Sequence, residues 1–239
     1  MMNVSVKVQL DNWYKSALHL LYPHQCLGCN IDQMSASDPI CPTCLLELPR
    51  THFERFSENP IEKIFHGRIP VEAATSLFYF SKGHLLQQLM HALKYQGNKY
   101  IGYYLGKELG KSIQSNNRFN RIDALIPMPM VQIKADKRGY NQAHIIADGI
   151  ASVLDLPVIE QAVVRKGSTK SQTGLNRMLR WQNVQERFEL LNGALLKNRN
   201  VLIIDDVVTT GASIESYSLE ILKANPASLS IATVACAEQ

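Results

Sequence analysis

Asp205 and Asp206 stand side by side in the stretch VLIIDDVVTTGAS, from Val201 to Ser213. The apolar residues before them, Val201 to Ile204, form the run expected of a strand buried on both faces, and that strand is predicted to end on the two carboxylates. Val207 and Val208 follow, then Thr209, Thr210, Gly211, Ala212 and Ser213, then the amphipathic helical pattern IESYSLEILKA. The first turn of such a helix leaves amides unpaired and carries the positive end of the dipole, so the loop can close around a phosphate. Gly211 lets the backbone approach closely. Carboxylates in front of a phosphate pocket would repel the phosphate, so they face neutral hydroxyls or a divalent cation. Together these groups describe a phosphorylated pentose. If that ligand also carries a pyrophosphate, Mg2+ is the natural bridge, because it prefers few carboxylates plus substrate phosphates. An ordinary polar strand-to-helix turn is the competing reading.

A second set of chemically capable residues lies near the N-terminus. Cys26, Cys29, Cys41 and Cys44 form two Cys-x2-Cys pairs, while Cys236 stands alone. The opening MMNVSVKVQLDNWYKS lacks a signal peptide's apolar centre, which makes a cytoplasmic location the default. In a cytosolic chain this spacing argues for metal rather than disulfides. Four thiolates suit tetrahedral Zn2+ and leave no ligand position open, so the site would be structural. A segment this small has little core, and the metal would supply much of its folding free energy. A redox-active pair is an alternative, and His24 is close enough to be an alternative ligand. The formal charge of +4 is a mild lean towards anionic partners. No segment approaches the unbroken apolar length of a membrane span.

Periodicity supplies the elements that would position these groups. Residues 11–22 carry a helical stripe of Trp13, Ala17, Leu20 and Leu21. Residues 51–70, with Pro60 and Pro70, read as a linker between an N-terminal module, 1–50, and a larger domain, 71–239. Residues 71–80 alternate like a strand. Helices follow over 85–96, with Leu85, Leu86, Leu89 and Leu93 on one face, and over 100–113. The turn between them, Lys94 to Asn98, is basic and aromatic. DALIPMPM reads as a strand that stops at Pro127, Met128 and Pro129, because proline cannot donate to a ladder and restricts the residue before it. Lys134, Lys137 and Arg138 come next, and Gly139 to Gln142 opens a helix with Ala143, Ile146, Ala147, Ile150 and Leu154 inward. A strand end, a stiff turn and nearby cations make a pyrophosphate site plausible.

Further strands are expected at 157–166, 188–191 and 229–237. Between the first two, Arg165, Lys166, Lys170, Arg177, Arg180 and Arg187 face a single acid, Glu186. This long basic stretch could close over a polyanionic phosphosugar, track a nucleic-acid backbone with Trp181 as a stacking platform, or be a solvated face. The alternation predicts an α/β fold, a largely parallel sheet flanked by helices on both faces, with ligand groups at the carboxyl ends of the strands.

The stretch IIDDVVTTGAS resembles the 5-phosphoribosyl-1-pyrophosphate (PRPP) signature of type I phosphoribosyltransferases. That resemblance implies that Asp205 and Asp206 hold the ribose, and that Thr209, Thr210, Gly211 and Ser213 line the 5-phosphate pocket within the loop Val207–Ser213. With the cysteine pairs, LKYQGN, PMP, KRGYNQA and RKGSTKSQTGLNRMLRWQN followed by Phe188, the chain resembles the competence protein F (ComF) family, including ComFC and GntX-like proteins. The implied fold is a type I phosphoribosyltransferase-like domain preceded by a small zinc ribbon. The implied role is natural transformation or use of incoming DNA, with passage of single-stranded DNA into the cytoplasm. By the same resemblance Pro127, Met128 and Pro129 match the pyrophosphate loop. Lys94, Tyr95, Arg138, Gln142, Thr169, Gln172, Arg180 and Asn183 match other motif positions.

Two functions follow as expectations. One is a DNA-handling protein that keeps a Mg2+-dependent PRPP pocket and meets single-stranded DNA or DNA-uptake proteins. The other is an active phosphoribosyltransferase of nucleotide metabolism that releases pyrophosphate from PRPP. No residue stands out as a base for an acceptor; His91 and His144 are candidates by type alone.

Overall fold

Buried, β-rich runs pair into a four-stranded parallel sheet in the order β1 (Ala73–Phe80), β6 (Ser228–Ala237), β5 (Asn200–Val208), β2 (Ala124–Pro127). This computed structural model describes residues 25–32, 38–80, 85–130, 138–166 and 187–237. The expected helix over 11–22, His24, Lys134, Lys137 and most of the basic stretch, including Thr169, Gln172, Arg180, Trp181 and Asn183, lie outside the described residues. The chain divides into two compact units, Met1–Leu48 and Pro49–Gln239. In the first, Gln25 and Asp32 form an antiparallel bridge, and a short helix, α1 (Pro42–Glu47), begins on Pro42.

The second unit buries both faces of its central strand. Val201 and Ile203 turn into a core with Phe188, Ile214, Tyr217 and Ile221. Leu202 and Ile204 are equally buried and, by strand alternation, point to the opposite face. Helix α3 (Leu85–Tyr95) leads into α4 (Lys99–Gln114), which packs against α5 (Gln142–Leu154). The α4–α5 crossing depends on glycine. A Cβ on Gly106 would stand 2.1 Å from the Ile146 carbonyl oxygen, and one on Gly149 would stand 2.2 Å from that of Tyr103. The backbones therefore touch, and a Cβ on Gly102 would meet both Leu93 of α3 (2.9 Å) and Ile145 of α5 (3.0 Å), so the start of α5 lies beside the end of α3.

Three expectations need revision. β5 does not stop at the acidic pair, because β6 is long enough to continue the ladder through Asp205–Thr233, Val207–Ala235 and Val208–Cys236. The β-branched Val207 and Val208 favour that extension. Residues 157–166 do not form one strand of the main sheet. Val158 bridges Leu125 in parallel, and then β3 (Val163–Lys166) leaves to pair antiparallel with β4 (Arg187–Leu190). A strand that turns from buried Val163 to exposed Lys166 suits a two-stranded ribbon better than a doubly covered sheet. Finally, residues 51–70, read as a linker, bury Phe53, Ile61, Phe65 and Ile69 in the core and supply helix α2 (Pro60–Phe65). Asn59 secures that helix. Its Oδ1 accepts from the amides of Ile61 (3.0 Å) and Glu62 (3.1 Å), while its Nδ2 donates to the carbonyls of Phe53 (3.1 Å), Phe56 (3.1 Å) and Ala74 (2.8 Å).

Candidate phosphosugar site and four-cysteine cluster

Because Asp205 and Asp206 lie within β5, strand alternation sends their side chains to opposite faces. Asp206 Oδ2 meets Lys94 Nζ, from the last turn of α3, at 2.7 Å. Asp205 Oδ1 accepts from the Asp206 amide at 2.8 Å. Its charge is felt by Tyr217, on the helix that follows the loop, α6 (Ala212–Leu222). Burial, and then the Asp205 charge, push the Tyr217 phenol above its ordinary range. The neutral hydroxyl donates to the Pro127 carbonyl at 3.2 Å, tying α6 to the end of β2.

After Val208 the loop is short. Thr209, Thr210 and Ala212 are exposed, Ser213 is half-buried and Gly211 is buried. Gly211 caps α6 with φ at 74° and no side-chain hydrogen bond, so the first amides of the helix have no side-chain cap. The reason for glycine here is more specific than close approach to a ligand. A Cβ at position 211 would stand 2.5 Å from Ile64 Cγ2 and 2.8 Å from Phe65 Cε1, both on α2. Arg68 braces the same loop: its guanidinium donates to the carbonyls of Thr210 (3.3 Å) and Ile64 (3.0 Å) and pairs with Glu215 in the first turn of α6. Arg68 lies 142 residues before Thr210, and no local pattern marks it.

The Pro127-Met128-Pro129 turn shapes the neighbouring wall. Its two prolines have no N–H. The Met128 amide already donates to the Ile204 carbonyl at 2.8 Å, and its side chain is buried. The Met128 carbonyl accepts from Asn141 Nδ2 at 3.0 Å, while Asn141 Oδ1 caps α5 at the Ala143 amide (3.1 Å). Asn141 could have been found from the sequence, since it immediately precedes the helical run.

Side chains supply the polar groups that the turn does not. Arg138 donates to Gln142 Oε1 at 3.0 Å and lies over the Tyr95 ring, 5.2 Å from its centroid. Tyr140 donates to the Leu93 carbonyl, so the segment before α5 is pinned to the end of α3. Gln142 is 4% exposed, and its Nε2 is buried without a hydrogen-bond partner. The structure thus joins Lys94 to Asp206, and Tyr95 and Gln142 to Arg138, with Pro127–Pro129 held to β5. Among the histidines, His91 packs on Tyr95 (5.0 Å between ring centroids). His144 faces Glu160 at 2.6 Å and Asp148 at 3.4 Å. A concavity of about 680 Å³ bounded by residues between Glu58 and Val71 shares Arg68 with the loop brace but does not include the acidic pair.

In the first unit the sulfur atoms of Cys26, Cys29, Cys41 and Cys44 lie within 4.8 Å of one another. Cys29 and Cys41 are 3.7 Å apart at sulfur. Tetrahedral Zn2+ with Zn–S near 2.3 Å implies S–S separations of about 3.8 Å, so the donor set fits this metal. Amides of Cys41 (3.2 Å) and Gly28 (3.4 Å) donate to Cys26 Sγ. Burial pushes the Cys26 thiol up, but hydrogen bonds from the amides of Cys29, Cys41 and Gly28 and from the Cys29 side chain outweigh it and bring the value down to about 6. Burial is also the largest influence on Cys44, followed by its cysteine neighbours, and raises it.

The phosphoribosyl transferase domain family matches residues 141–239, from the start of α5 through the acidic pair to β6. Competence protein F of Haemophilus influenzae is 31% identical over 146 residues, covering 57% of this chain and 62% of that protein. The match therefore spans less than two thirds of competence protein F. The DNA utilization protein YhgH of Escherichia coli K12 is 25% identical over 195 residues, covering 80% of this chain and 82% of that protein. Among solved structures, glutamine PRPP amidotransferase from B. subtilis, complexed with ADP and GMP, aligns at TM-score 0.38 and 14% identity, over 55% of this chain and 26% of that one. The chain is thus similar to competence protein F and to the YhgH proteins, matches the phosphoribosyl transferase domain over residues 141–239 on a parallel sheet flanked by helices, and carries nearer its N-terminus a four-cysteine cluster consistent with a zinc ribbon.

Proposed function

We propose that this protein handles incoming single-stranded DNA in natural transformation and that its acidic-pair site binds PRPP or a related phosphosugar. The names carried by its relatives support the first half, and the phosphoribosyl transferase match supports the second. The observation that carries the site reading is Gln142. A buried donor without a partner costs about 1–3 kcal/mol, and a ligand oxygen would relieve that cost.

Each group then has a role. Asp206 accepts from ribose hydroxyls, while Asp205, on the other face of β5, holds the strand through the Asp206 amide. The hydroxyls of Thr209 and Thr210, with the uncapped amides at the start of α6, donate to the 5-phosphate. Arg138 and Gln142 face the pyrophosphate, while Pro127–Pro129 hold its side of the wall in shape. When bound, Mg2+ would neutralise the diphosphate. Asp206 already faces the Lys94 ammonium at 2.7 Å, so the chain's residues fit a cation that arrives with the ligand better than a resident one. Cys26, Cys29, Cys41 and Cys44 would hold structural Zn2+. The phosphosugar site and the DNA role go together in a cytoplasmic protein that meets DNA after its passage across the membrane. Among the described residues no helix is long and apolar enough to cross one.

Calorimetry with PRPP in the presence and absence of Mg2+ tests the site. Binding is expected to need Mg2+ and to weaken about tenfold or more in Gln142→Leu and Asp206→Asn. Metal-dependent binding unchanged in both variants would refute it. Single-stranded DNA titrated at several salt concentrations tests the partner, since phosphate contacts require affinity to fall as salt rises.

A further inference from the structure

We propose that Lys94 selects a diphosphate-bearing phosphosugar by leaving Asp206 for the ligand's diphosphate when the site fills. The inference rests on the phosphosugar reading above and adds the residue that sets ligand choice.

The argument begins with the missing donors. In other circumstances a tight turn at a strand end could hold a diphosphate through backbone amides. Here Pro127 and Pro129 have none, and the Met128 amide is committed to Ile204 at 2.8 Å. The positive charge for a diphosphate on this side must therefore come from side chains. Arg138 is held by Gln142 and Tyr95, and Gln142 Nε2 is neutral. Among the described residues, Lys94 is the adjacent cation that can move: it ends α3, has a four-carbon stem, and is 24% exposed at the side chain.

Its present partner gives the movement a consequence. The Lys94–Asp206 pair, at 2.7 Å, occupies the carboxylate that the ribose hydroxyls need. A ligand with a 1-diphosphate offers the ammonium a stronger anion while its hydroxyls take over Asp206, so both charges stay partnered. Ribose 5-phosphate offers the hydroxyls but no second anion. Binding it would strand Lys94 or leave Asp206 covered. Lys94 thus penalises ligands that lack the diphosphate and rewards those that carry it.

The test uses the full chain and calorimetry with PRPP and with ribose 5-phosphate, each with Mg2+. Wild type is expected to prefer PRPP by about tenfold or more. Lys94→Met should weaken PRPP by about tenfold or more, and leave ribose 5-phosphate within about twofold or bind it tighter. Lys94→Arg should retain the preference. A preference that survives Lys94→Met, or an equal loss for both ligands, would overturn the role of Lys94 while leaving the pocket intact. If wild type bound neither ligand, the pocket reading itself would fall and this inference with it. A measurement independent of the Met variant's folding is the 15Nζ resonance of Lys94 in wild type, assigned with Lys94→Arg. It should move with PRPP and stay with ribose 5-phosphate; a resonance that PRPP leaves in place would overturn the exchange.

Discussion

Replacing Gly211 with alanine tests how the loop before α6 is held. The backbone there has φ at 74°, and a left-handed conformation costs a non-glycine residue about 1–2 kcal/mol. The added methyl would also meet Ile64 Cγ2 at 2.5 Å and Phe65 Cε1 at 2.8 Å. Forcing a methyl into a packed contact costs about 1–3 kcal/mol. Together the two effects give about 2–5 kcal/mol, which for a domain of this size lowers Tm by roughly 4–20 °C. Thermal unfolding followed by circular dichroism measures the shift. The steric part can be separated by repeating the change in an Ile64→Ala background. Removing Ile64 Cγ2 relieves the nearer clash but leaves φ and Phe65 untouched, so the cost should shrink by about 1 kcal/mol without vanishing. A Gly211→Ala protein within about 0.5 kcal/mol of wild type, or full additivity with Ile64→Ala, would refute the reasoning.

Other perturbations reach different parts of the structure. Asn59→Ala removes the cap of α2 and strands the buried carbonyls it serves, and should cost about 2–4 kcal/mol in denaturant unfolding. Tyr217→Phe should cost about 1–2 kcal/mol by leaving the Pro127 carbonyl unpaired. Because the Tyr217 phenol is raised in the fold, its contribution is complete below pH 10 and is lost as pH climbs beyond it; alkaline unfolding should be shallower in the Phe variant. For Cys26 the sign reverses. Its folded value of about 6 lies below the ordinary 9.0, so the thiolate's contribution is complete above 9 and is lost as pH falls through about 6. Zinc measured by mass spectrometry after dialysis should be retained near neutral pH and released in acid as protons compete for the four thiolates, whereas full retention at about pH 2 would contradict the thiolate cluster.

The sheet and its helices were legible because their signals are local. β-Branched runs marked β5 and β6, a 3.6-residue stripe marked α3 and α4, and Pro127 marked the end of β2. The same locality explains what was missed. The length of β5 depends on β6, its ladder partner, so the local run alone ends the strand on the acidic pair, whereas the ladder carries it to Val208. Residues 51–70 look irregular because Pro60 starts a short helix, while the burial of Phe53 and Phe65 is decided by the sheet they cover. At the site, the acidic pair, the threonines and the cation-bearing motifs could be read from residue type and resemblance. Their partners could not. Arg68 reaches Glu215 across 147 positions, and the Gly106–Gly149 crossing becomes visible when two helices meet. The committed amide of Met128 likewise depends on a carbonyl of another strand.

A crystal structure of the full chain grown with PRPP and Mg2+ tests the account most directly. It should show ribose hydroxyls on Asp206, the 5-phosphate on the loop from Thr209 to Ser213, and Lys94 turned from Asp206 to the diphosphate. A phosphosugar bound away from the acidic pair, with Lys94 still on Asp206, would contradict it.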